Sequence, residues 1–191
     1  MNPELSPNEP RAVAYHEAGH AVAMFEFGVH FQKVSIIAGQ NRLGFVECCS
    51  AEGRLTGEAS RLVHSLHEIV ADLAGPIAHA RAISGTPFRI VGARGDFTDD
   101  RTKATIRCQM IVNDFLLARS SGGVISSSGT SPEAKQIECV LHLAAVALVE
   151  RRWPEIQAIA NELLECGELT ESQVADLCAS SKSKQKGKEQ G

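Results

Sequence analysis

The five residues His16-Glu17-Ala18-Gly19-His20 put two imidazoles and a carboxylate at a spacing that suits a metal ion. On a helix, residues four apart lie one above the other, so both rings can reach the same ion. Glu17, beside the first ring, can reach a water on that ion and take its proton as the oxygen attacks a carbonyl. With 7 histidines and 17 glutamates in 191 residues, chance supplies only about 0.02 such matches. A catalytic zinc usually takes a third protein ligand, and these residues alone leave it open. The positions after His20, from Ala21 to Glu26, hold no histidine, so the longer histidine-only motif fails. Glu68 and Asp72 share one face of a later helix. The stretch Gly92-Ala93-Arg94-Gly95-Asp96-Phe97-Thr98-Asp99-Asp100 runs three carboxylates into another helix start, where acids also suit the helix dipole. The histidines at 30, 64, 67, 79 and 142 have no ligand-like partner and read as surface or core-edge residues.

The elements that must position these groups are mostly helices. Residues 8–27 carry Val13, Ala14, Ala18, Ala21, Val22 and Phe25 at helical spacing, with capping chemistry at 6–9 and Gly28 as the stop. Residues 31–37 and 43–48, joined by a turn at 39–42, read as a β-hairpin. A lone hairpin is marginal and must pack on helices. Residues 58–84 form a long helix in which Pro76 is expected to cause a kink or a split. A loop at 84–100, a helix at 101–118 and a mobile Ser/Gly-rich loop at 120–131 follow. Ser131-Pro132-Glu133 opens a helix to about Arg152, Trp153-Pro154 opens the next, to about Gly167, and Thr170-Glu171-Ser172-Gln173 is a capping box for a last one. The expected fold is one mainly α domain, residues 1–179, with a small β-hairpin. Residues 180–191, with four lysines and no apolar side chain, are expected to be a disordered tail.

Composition agrees with a globular protein: 43% hydrophobic and 22% charged residues, net charge −4. Without a basic field, nucleic acid is not the expected partner. The longest apolar run, Cys139 to Val149, contains His142 and is far shorter than the ~20 residues of a membrane span. The acidic start lacks an apolar signal segment. The six cysteines form no C-x-x-C pair, so reduced thiols and a cytoplasmic location are expected.

The chain resembles the peptidase domain of the FtsH-type AAA+ zinc metalloproteases over nearly its whole length. Val13-Ala14-Tyr15-His16-Glu17-Ala18-Gly19-His20-Ala21-Val22 is similar to that family's active-site helix almost letter for letter. Lys33 to Ile37 and Leu43 to Val46 resemble its strand pair, and Ala71 to Ala78 its "LGGRAAE" segment. Ile159 to Glu165 with Gly167 to Thr170 resemble its C-terminal helices. Gly92-Ala93-Arg94-Gly95-Asp96 resembles the G-A-x-x-D that gives the family's third ligand.

The resemblance implies a zincin-like fold and a Zn2+ held by His16, His20 and Asp96, with Glu17 as general base. An Ala-Thr pair follows the family's ligand by four or five residues. Ala104-Thr105 has that distance from Asp100, so Asp100 is the alternative to the favoured Asp96. The resemblance further implies that an extended peptide pairs with the strand at Gly44, Phe45 and Val46. The family's ATPase half has no counterpart here, since no G-x-x-x-x-G-K-[ST] occurs. The expected substrate is therefore a short peptide or an unfolded protein, cleaved without ATP. A homo-oligomer or a separate ATPase is the kind of partner the resemblance brings with it, although the family's hexamer depends on the missing ring. The competing expectation is a non-hydrolytic descendant that keeps zinc as a peptide-binding module.

Overall fold

The computed structural model describes residues 9–38, 43–49, 57–84, 98–117 and 130–188. In order these form α1 (Glu9–Phe27), β1 (Phe31–Ser35), β2 (Phe45–Cys48), α2 (Glu58–Ser84), α3 (Thr98–Ile111), α4 (Pro132–Arg151), α5 (Trp153–Cys166), β3 (Glu168–Thr170) and α6 (Glu171–Lys188). The architecture is mainly α with one small antiparallel sheet, as expected. The expected turn at 39–42, most of the loops at 84–100 and 120–131, and Asp96 lie outside the described residues.

α1 is the centre of the molecule. Every residue from Ala12 to Met24 is buried, as befits a helix with neighbours on all sides. Its small residues make this arrangement feasible. A Cβ at Gly19 would lie 2.7 Å from both the Ala74 carbonyl oxygen and the Ala78 methyl, so α1 and α2 touch backbone to backbone. On another flank Tyr15 stacks on Trp153 of α5, with ring centroids 5.3 Å apart, and the Arg81 guanidinium sits 4.3 Å over the same indole. Ile156, Ile159, Ala160 and Leu163 complete the buried face of α5.

The sheet has the order β2-β1-β3. The hairpin pairing is antiparallel, with Val34 opposite Val46 and Ser35 opposite Phe45. β3 is a strand where the sequence suggested only a helix approach. Gly167, at φ +81, ends α5 and turns the chain beside β1, where its carbonyl accepts a hydrogen bond from the Ile36 amide at 2.9 Å. Val34 then faces Leu169. Three residues are too few to show an alternating pattern, so the strand exists by its long-range partner.

α2 has the bounds expected of it, and of the two outcomes foreseen at Pro76 the split does not occur, because a proline removes one N–H and the buried packing of Ile69 to Ala78 holds the rest. α6 continues to Lys188, past the boundary at 180. Its start is fixed by Thr170 and Gln173, each accepting from the other's amide, and adding turns to an existing helix costs little.

Candidate metal centre

A buried polar residue is the informative kind, and α1 has three in consecutive turns. His16, Glu17 and His20 are 3%, 6% and 9% exposed. Burying them without partners would cost several kcal/mol, so their surroundings explain their presence. The two Nε2 atoms of His16 and His20 lie 2.9 Å apart. Asp100 Oδ2, from the first turn of α3, lies 2.9 Å from His16 Nε2 and 3.3 Å from His20 Nε2. Four-coordinate zinc with ligand distances of 2.0–2.1 Å needs donor separations of about 3.3–3.4 Å. The triangle is near that size, and His16, His20 and Asp100 form a group able to hold a metal ion.

What surrounds the triangle sets its chemistry. The His20 Nδ1–H donates to the Ala71 carbonyl at 2.7 Å. In the neutral ring this leaves the Nε2 lone pair facing Asp100 and His16, the usual way a ligand histidine is oriented. Gly75 lies under the same ring. A Cβ there would fall 2.5 Å from His20 Cε1 and 2.6 Å from Cδ2, so the imidazole occupies the space that any side chain at 75 would need. The metal-free pair shares one proton. Burial and the neighbouring His20 push His16 down to about 3. For His20 burial opposes the charge, but the hydrogen bond and charge of Asp100, with Glu17 and Ala71, outweigh it and raise the group to about 9. Burial likewise opposes ionisation of Asp100, yet the two histidines hold it well below the usual carboxylate range. Two neutral nitrogens and one carboxylate oxygen are a donor set suited to zinc.

Glu17 points to the neighbouring sheet. A Cβ at Gly44 would lie 2.7 Å from Glu17 Oε1 and 2.8 Å from Val13 Cγ1, so the backbone leading into β2 passes directly over the carboxylate. Phe45 and Val46 follow on β2, which is an edge of the sheet. Its outer side has no strand partner among the described residues. The structure thus brings His16, His20, Glu17 and Gly44 into one neighbourhood.

The carboxylate it adds to them is that of Asp100; Asp96 lies outside the described residues. The Ala104-Thr105 spacing was the signal that pointed to Asp100. Glu68 and Asp72 turn to Arg107 of α3, which contacts Asp72 closely and Glu68 at 3.4 Å. Neither Arg107 nor the Ala71 carbonyl has a local signal that ties it to the histidine motif, since both contacts join separate helices. Cys48, exposed at the end of β2, has its thiol pushed up by partial desolvation and then by Glu68 and Asp72. No disulfide joins any of the six cysteines. Comparison with protein-family models and with characterised proteins gives no match. No helix of the described residues is long and apolar enough to cross a membrane.

Proposed function

We propose that this chain is a zinc-dependent peptidase that hydrolyses unfolded or short peptides without ATP. The observation that carries the reading is the convergence of His16, His20 and Asp100 one residue from a buried glutamate, beside an open strand edge. The resemblance of Val13 to Val22 to the active-site helix of FtsH-type peptidases supports the same reading. A zinc ion held by the three side chains supplies Lewis acidity, lowering the pKa of a water and polarising a carbonyl.

The protein's own groups do the rest. The α1 helix and the Ala71 hydrogen bond fix the two imidazoles, so the site is formed before substrate arrives. Glu17 takes the proton of the attacking water and returns it to the leaving amine. An extended peptide hydrogen-bonded to the outer edge of β2 adds a fourth strand to the sheet. Because the backbone at Gly44 crosses Glu17, that register carries a peptide bond past the carboxylate. Gly44, Phe45 and Val46 are then the substrate-binding segment. Folded proteins rarely leave an extended segment open to added pairing, so the substrates are unfolded, short, or delivered by a partner.

The test is Glu17→Gln in zinc-loaded protein, with a denatured polypeptide as substrate. The amide keeps the size of the side chain but cannot accept the proton, and general-base catalysis typically contributes about 10²–10⁴ in rate. Cleavage is expected to fall by at least that factor while zinc content stays at the wild-type level. Equal cleavage by the variant would place the base elsewhere. Zinc binding with no cleavage by either protein would favour the peptide-binding module.

A further inference from the structure

Asp100 has an unusual burden for a ligand. It sits in the first turn of α3, which starts at Thr98, and the first turn of a helix has the fewest backbone hydrogen bonds to hold it. Its imidazole partners come from another helix, α1, while Lys103 of α3 itself donates to its Oδ1 at 3.1 Å. Thr105 of α3 donates to Glu138 of α4 at 3.0 Å, but toward α2 the apolar contacts of Ala104, Cys108 and Ile111 with the core are non-directional, so the register of α3 on α2 needs a directional contact. We propose that Arg107 is the positioning residue for the third ligand: its ion pair with Asp72 and Glu68 locks α3 on α2 in the register that brings Asp100 to His16 and His20. The proposal rests on the metal-site reading above.

The geometry is specific. Asp100 and Arg107 are seven residues apart, two turns of helix, and so share one face of α3. Asp72 and Glu68 are four apart and share one face of α2, with Arg107 spanning both. A planar guanidinium meeting two carboxylates resists sliding and rotation in a way that a point charge does not. Asp72 directly follows Ala71, whose carbonyl orients His20, and Gly75 of the next turn lies under the His20 ring. One short stretch of α2 therefore holds both a ligand of α1 and, through Arg107, the helix that carries Asp100.

An electrostatic role predicts the opposite result, which makes the idea testable. Removing the guanidinium leaves Asp72 and Glu68 uncompensated near the site, and their negative field alone would strengthen cation binding. Positioning instead predicts weaker binding, by about 10–100-fold as for other residues that orient ligands. The experiment measures Zn2+ affinity by competition with a chelating dye, and the visible spectrum of bound Co2+, in wild-type, Arg107→Met and Arg107→Lys proteins. Helix content of the metal-free proteins by circular dichroism is the folding control. Expected are native helix content, a 10–100-fold loss of Zn2+ affinity in Arg107→Met with an altered Co2+ spectrum, and an intermediate loss in Arg107→Lys. Unchanged or tighter binding by folded Arg107→Met overturns the proposal. If Arg107→Met does not fold, Arg107→Lys decides: weaker Zn2+ binding supports positioning and wild-type affinity overturns it. A wild-type protein that binds no Zn2+ overturns the metal-site reading and the proposal with it.

Discussion

Asp99 and Asp100 are neighbours in the first turn of α3 with opposite surroundings. Both pair with Lys103, but the Asp99 side chain is 70% exposed, whereas that of Asp100 is 16% exposed and turns its other oxygen to two imidazoles. Asp100→Ala should therefore lose zinc. Asp99→Ala should keep it and change stability by no more than about 0.5 kcal/mol. Zinc content after gel filtration checks both. His16, Glu17 and His20 were legible because helical spacing is local. The carboxylate that meets the two imidazoles was not, because Asp100 arrives from 80 residues away and three acids stood close together in the sequence. Only the Ala104-Thr105 spacing separated them, and Phe97 and Gly92-Ala93 pulled the other way.

The shared proton of the histidines gives a second expectation. At pH 7 the metal-free pair holds one proton on His20, raised to about 9, and none on His16, lowered to about 3. Zinc needs both nitrogens unprotonated, so binding expels that proton. The sign follows: affinity rises with pH and levels off above about 9, with a slope near one decade per pH unit across neutrality. Zinc titrations from pH 6 to 8 measure the slope, and a flat profile would remove the proposed proton from the pair.

The elements show which sequence signals carry structure. The long helices and the hairpin were readable from periodicity and caps, down to Ser131 accepting a hydrogen bond from the Ala134 amide. β3 was not, since it depends on a partner distant in the chain. Close approach between elements is equally hidden: Gly75 looks like a helix weakener in sequence, yet the His20 ring fills its missing side chain. Gly75→Ala would favour an isolated helix by about 1 kcal/mol. Here it should destabilise the protein by about 1–3 kcal/mol through overpacking and weaken zinc binding together with it. Thermal melts and zinc titration of this variant test the crossing of α1 and α2; stabilisation with unchanged zinc would mean that the ring does not lie there.

At the scale of the molecule, a mainly helical body presents a buried cluster of His16, Glu17, His20 and Asp100 next to a sheet edge. The ordinary composition and the charge of −4 show neither feature. They emerge only when α1, α2 and α3 are brought together with β2. The central claim is that this cluster is a hydrolytic zinc centre. Its most direct test is cleavage of a denatured polypeptide by the purified wild-type chain, without ATP, before metal removal, after chelation, and after readdition of one equivalent of Zn2+. The account predicts cleavage, its loss on chelation, and its recovery with zinc. Cleavage that survives complete metal removal, or no cleavage by protein carrying a full equivalent of zinc, would contradict it.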